Sequence, residues 1–187
     1  MKRVSNEELP SSDIKKAILK HRKWIIGVIG IFIIWYIFFG RNSGLTQKQF
    51  ENKLSDLSDG MIHITDSRIE KTNDGSSVYM AKWNGFTITA TVDGKNNIVL
   101  PYGVIAPSPN QMNEISLGQF QEVSKALSGV ADSKLSKDDR DHLILNDLNF
   151  NEVVETGTKH STSKNGKDYD IIGSNGMFIF MVGDERK

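Results

Sequence analysis

Two patterns divide the chain. From Trp24 to Gly40 the run WIIGVIGIFIIWYIFFG holds no charge, amide or hydroxyl except the Tyr36 phenol. Beyond Leu45, apolar residues recur instead at spacings of three and four, or of two, between polar ones. The first pattern predicts a helix that is apolar on every face. The second predicts the amphipathic helices and half-buried strands of a folded domain.

Seventeen residues in helical form span about 25 Å, slightly less than a hydrocarbon core of about 30 Å. Ile18 and Leu19 lie one turn earlier and lengthen the apolar surface, while Lys20, Arg22 and Lys23 reach back to the headgroups. Trp24 at one end, and Trp35, Tyr36, Phe38 and Phe39 at the other, match the two interfacial belts. A cleaved signal peptide fits less well. Its basic region would be 23 residues long, and no A-x-A-like site follows the apolar run. The chain has no cysteine, which excludes a lipoprotein anchor. The reading is an uncleaved, single-pass signal anchor at 24–40.

Charge then orients it. The chain carries 23 basic and 23 acidic residues, a net charge of zero that hides a split. Residues 1–23 hold seven basic and three acidic side chains, net +4, which leaves 16 basic and 20 acidic, net −4, for the rest. The excess of Lys and Arg before the run places the N-terminus in the cytoplasm and the C-terminal part outside it. The expected organisation is a cytoplasmic basic tail at 1–23, the transmembrane anchor at 24–40, a linker at 41–44 and an extracytoplasmic domain at 45–187. The basic cluster also suits anionic lipid. A Lys-rich, Asn- and Ser-rich domain without Cys or any N-x-[ST] sequon has the composition of a Gram-positive bacterial protein.

In the outer part, Thr46 is placed to cap a helix, with Gln49 at the capping-box position and Phe50, Leu54 and Leu57 on one face. Asp59-Gly60 ends it. Turn dipeptides Asp74-Gly75, Asn84-Gly85 and Asp93-Gly94 then recur every nine or ten residues, the rhythm of an antiparallel meander. A two-residue turn at Asn84-Gly85 pairs Trp83 with Phe86, Ala81 with Ile88, Tyr79 with Ala90 and Ser77 with Val92. These form the core side, and Thr87, Thr89 and Thr91 form the other. Pro101, Pro107 and Pro109 predict a connecting loop over 101–116. A helix over about 116–127 ends at Ser128-Gly129, and another over about 137–147 follows Ser136 as its cap. The chain closes on strands with turns at Asn165-Gly166 and Asn175-Gly176. The second of these pairs Gly173, Ile171 and Tyr169 with Phe178, Phe180 and Val182.

Leu45–Leu57 and Ile115–Leu127 are alike in pattern, each with a central Gln-Phe, and each leads to a Tyr-led strand, an Asn-Gly turn and an apolar strand. The fold class is therefore α+β, with helices packed on an antiparallel meander. Halves at 45–100 and 115–187 suggest a tandem duplication.

No chemistry stands out. There is no Cys nucleophile and no G-x-S-x-G. His21 belongs to the basic flank, His63 is expected on a strand, His142 on a helix and His160 in a polar hairpin, with no ligand spacing among them. Lys137-Asp138-Asp139-Arg140-Asp141 lacks the order of a calcium loop and reads as a helix start. An acidic outer domain without a basic stripe excludes nucleic acid. No catalytic residue, metal site or cofactor is assigned. The function expected is non-enzymatic: a binding module that holds a protein or envelope partner at the membrane, such as an immunity or inhibitor protein or an accessory subunit of an envelope or secretion complex. The alternative is a cell-wall hydrolase or protease with a site assembled from distant residues.

Overall fold

The computed structural model describes residues 44–107, 111–174 and 177–186. The basic tail, the apolar run at 24–40, most of the linker and the Asn175-Gly176 turn lie outside them. Among the described residues no helix is long and apolar enough to cross a membrane.

Helix α1 spans Gln47–Leu57 and begins with the expected capping box. The Gln49 amide N–H donates to Thr46 Oγ1 at 3.3 Å, and the Thr46 N–H donates to Gln49 Oε1 at 2.9 Å. Two of the donors that a helix start leaves orphaned are thereby satisfied. Phe50 and Leu54 are fully buried, and the Phe50 ring packs on Tyr79 and Tyr102 at 5.4 and 5.1 Å.

Strands β1 (Asp66–Lys71), β2 (Ser77–Trp83) and β3 (Phe86–Val92) form the meander. The β2–β3 register is the one the turn dictates, from Trp83 opposite Phe86 to Ser77 opposite Val92. Asn84 and Gly85 both have positive φ, 47° and 85°, as a type I′ turn requires. The next turn departs from expectation. Its left-handed residue is Asn96, not Gly94, and the Asp93 carboxylate closes it by accepting from the Lys95 and Asn97 amides. Residues 61–65, including His63, precede β1 as irregular chain and are not a strand.

The proline-rich segment is not a loop through 107. Residues Ile98–Pro107 form β4, paired to β3 on one side and to the last strand on the other. Pro101 is tolerated there because the β3–β4 register shifts between Ala90 and Thr91. That shift leaves Leu100 and Pro101 as the unmatched residues of a bulge, where a missing N–H breaks no ladder bond.

Helix α2, Glu114–Ala131, is longer than its pattern suggested. It starts one cap earlier, at Asn113, and runs through Ser128-Gly129, which were expected to stop it. The Ser124 and Ser128 hydroxyls donate to Phe120 O and Ser124 O, so they are satisfied inside the helix. Helix α3, Lys137–His142, follows the Ser136 cap and passes into a π-helical turn, Leu143–Asp147, together covering the range expected. A short α4, Phe150–Thr156, was not anticipated. Strands β5 (Lys159–Lys164), β6 (Lys167–Ser174) and β7 (Met177–Asp184) complete the chain. In β6–β7, Tyr169 is opposite Val182, Ile171 opposite Phe180 and Gly173 opposite Phe178, as expected.

One seven-stranded antiparallel sheet results, in the order β1-β2-β3-β4-β7-β6-β5. The α+β class is as expected. The two meanders meet at a β4–β7 seam, and β1 and β5 are the outer edges. One face carries the helices. Phe120 of α2 stacks on Phe178 at 4.4 Å and meets Phe86 at 6.0 Å, so a single core joins both meanders. The other face is not simply solvated, as the alternation in β3 had suggested. Thr89 is 2% exposed and Thr91 5%, and among the described residues the Thr89 hydroxyl has no hydrogen-bond partner.

Candidate functional site

The end of α1, the middle of α2 and one face of α3 converge on a cleft of about 500 Å³. Its first wall is the turn after α1. Ser58 Oγ donates to Ser55 O at 3.0 Å and accepts from the Ile62 N–H at 2.9 Å. Asp59 and Gly60 are left-handed, with φ of 52° and 82°, and this reversal delivers Met61 to the rim, 52% exposed. The second wall is α2, with Glu122 and Lys125. The third is α3, with Lys137, Arg140 and Asp141.

Charge pairs tie these walls together. Lys125 Nζ donates to Asp141 at 2.7 Å and to Glu122 at 3.0 Å, clamping α3 to α2. Partial burial acts to lower the Lys125 pKa, but the two carboxylates outweigh it and hold the pKa above its ordinary value. Lys137 Nζ reaches Asp59 Oδ2 at 2.9 Å between exposed partners. Its hydrogen bond and charge keep the Asp59 carboxyl below the usual range, and the more distant Arg140 adds a weaker pull. Three carboxylates are thus shared between two lysines.

Arg140 is the cation left over. It is 8% exposed, and among the described residues its side chain makes no hydrogen bond and no ion pair. Its position depends on Gly129. A Cβ at that residue would lie 2.8 Å from Arg140 Nη1, 3.0 Å from its Cδ and 3.1 Å from Leu57 Cδ1. The bare backbone of α2 is the surface on which the guanidinium stem lies, which explains a glycine inside a long helix. A guanidinium has five donors and stays protonated. The Arg140 nitrogens are not among the water-excluded polar atoms that lack a hydrogen bond, so they face the water of the cleft. A guanidinium that only water satisfies at the wall of a cleft is available to an anionic ligand group.

Among the described residues the water-excluded polar side-chain atoms without a hydrogen bond are the Thr89 and Tyr169 hydroxyls. Both are neutral, and neither residue lines the cleft.

The residues singled out by sequence fall elsewhere. Trp83 is buried and packs on Phe86 at 5.8 Å, so it belongs to the core. His142 pairs with Asp147 at 3.1 Å and His160 with Glu152 at 3.5 Å, on separate elements. His63 is exposed. Among the described residues no group of three or more His, Asp or Glu side chains converges on a point suited to a metal ion. The acidic run does form the start of a helix: Asp139 completes a capping box with Ser136, and Asp141 joins the Lys125 clamp. In the sequence Arg140 is one member of that charged run. One signal pointed to it: on a helix begun by Ser136, position 140 shares a face with Leu143 and Ile144, both fully buried.

Comparison with protein-family models, with curated proteins and with solved structures finds no match.

Proposed function

We propose that the chain is a membrane-anchored, extracytoplasmic binding module, without enzymatic activity, that holds a protein partner at the outer face of the membrane. The observation that carries the binding role is Arg140, a mostly buried side chain whose charged end meets the cleft with no protein partner among the described residues, while the other charges there are already paired. The apolar run at 24–40 and the basic residues before it carry the anchoring. Tethering to a surface raises the effective concentration of the module for anything else held there, so a modest site suffices. An inhibitor or immunity protein, or an accessory subunit of an envelope or secretion complex, uses this arrangement.

We also propose that the two halves arose by tandem duplication. Phe50 and Phe120 are the central aromatics of the two matching sequence segments, and both are fully buried. Each helix is followed in the chain by an antiparallel meander.

The test places a photocrosslinking amino acid at Met61, on the cleft rim, in living cells, with Ile69 on β1 as the control site. A discrete protein adduct specific to position 61 is expected. A reporter active only outside the cytoplasm, fused after Lys187, is expected to be active. Adducts at neither site, together with a silent reporter, would defeat the reading.

A further inference from the structure

Resting on the binding role proposed above, we infer that the cleft takes a single carboxylate from the partner polypeptide, an Asp or Glu side chain beside an apolar residue, with Arg140 as its counter-ion.

The chemistry of the walls narrows the ligand. Arg140 offers planar paired donors, the geometry that matches a carboxylate or a phosphate. The remaining walls discriminate between these. Asp59, Glu122 and Asp141 line the same cleft, so it holds three anions against three cations and has no net charge to offer. A phosphate with two negative charges meets three carboxylates and one free cation. A carboxylate needs only the one cation. Cationic ligands are disfavoured too, because every acidic wall residue already has a lysine within 3.0 Å.

Leu57 and Met61 supply the apolar part of the lining, and Met61 is the exposed member at the rim. A methionine adapts its shape to whatever apolar side chain arrives. Gly129 keeps Arg140 against α2, and Lys125 fixes α3 to α2 through Asp141. The donor is therefore held in place before the ligand arrives, which reduces the ordering cost of binding.

The test uses the full chain in nanodiscs of neutral lipid, with its arginines labelled with nitrogen-15, and follows the Arg140 Nε–H signal. Three probes are titrated: acetyl-Leu-Glu-Leu-amide, the same peptide with Gln for Glu, and inorganic phosphate. The Glu peptide is expected to shift the Arg140 signal to saturation, and the Gln peptide and phosphate to bind at least about tenfold more weakly. Arg140→Gln is expected to reduce Glu-peptide affinity by about the same factor. Equal affinity for the Gln peptide, equal or tighter binding of phosphate, or an Arg140 signal unmoved by the Glu peptide would each overturn the inference. The wild-type signal decides the matter even where Arg140→Gln fails to fold. A negative titration beside a positive crosslink at position 61 would refute the carboxylate while leaving the binding role intact.

Discussion

Arg140 and Gly129 behave as one unit, and substitution at the glycine shows it. An exposed Gly→Ala change inside a helix normally gains about 1 kcal/mol. At Gly129 the added methyl meets Arg140 and Leu57 at 2.8–3.1 Å, so the gain is expected to become a net loss of about 1 kcal/mol in denaturant melts of the fragment 42–187. The core gives a larger and simpler signal. Phe86→Ala removes a side chain 2% exposed that touches both Trp83 and Phe120, and should cost roughly 3–5 kcal/mol. Thr89→Val is expected to gain about 1 kcal/mol in the same assay, because it removes a buried hydroxyl without a hydrogen-bond partner among the described residues. A loss at Thr89 equal to that at Phe86 would mean the hydroxyl is paired after all. At this scale, local chemistry was readable in the chain: the Thr46 cap, the Ser136 cap and the Asn84-Gly85 register all depend on residues within a few positions of one another. The role of Arg140 was not, because it depends on a glycine eleven residues away on another helix.

At the scale of elements, the errors have identifiable physical sources. Strand β4 was hidden by its prolines, which argue against a central strand unless a bulge accommodates them, and a bulge is visible only once both partners are known. Helix α4 has a start signal, Asn149 with Glu152 three residues on, but it is only seven residues long, too short for a helical period to stand out. The continuation of α2 through Ser128-Gly129 was hidden because Gly near a helix end usually stops it. The same strand that was missed now carries a prediction. In β4, Tyr102–Pro107 pairs with β7 along the seam. The fragment 44–107 should therefore expose a long apolar edge and self-associate, measured by sedimentation, whereas 42–187 should be monomeric at the same concentration. A folded, monomeric 44–107 would show that the first meander is independent of the second.

For the whole molecule, orientation is expected to follow from the charge split around residues 24–40. Replacing Lys15, Lys16, Lys20, Arg22 and Lys23 with neutral residues should lower the fraction of chains whose C-terminal reporter is active outside the cytoplasm. An unchanged fraction would mean that something other than these residues sets the orientation. The α+β class of the domain was readable because its turns and amphipathic patterns are regular. What the sheet does at its two ends has a consequence for molecules held side by side. Strand β1 reads DSRIEK and β5 reads KHSTSK, both short and largely open to water. Proteins tethered at one height above a bilayer share an orientation, so free backbone rims on neighbours are already aligned for sheet-to-sheet growth. In the anchored arrangement proposed above, charges of both signs along one rim, and lysines at both ends of the other, oppose that growth and keep neighbouring domains from zipping into ribbons.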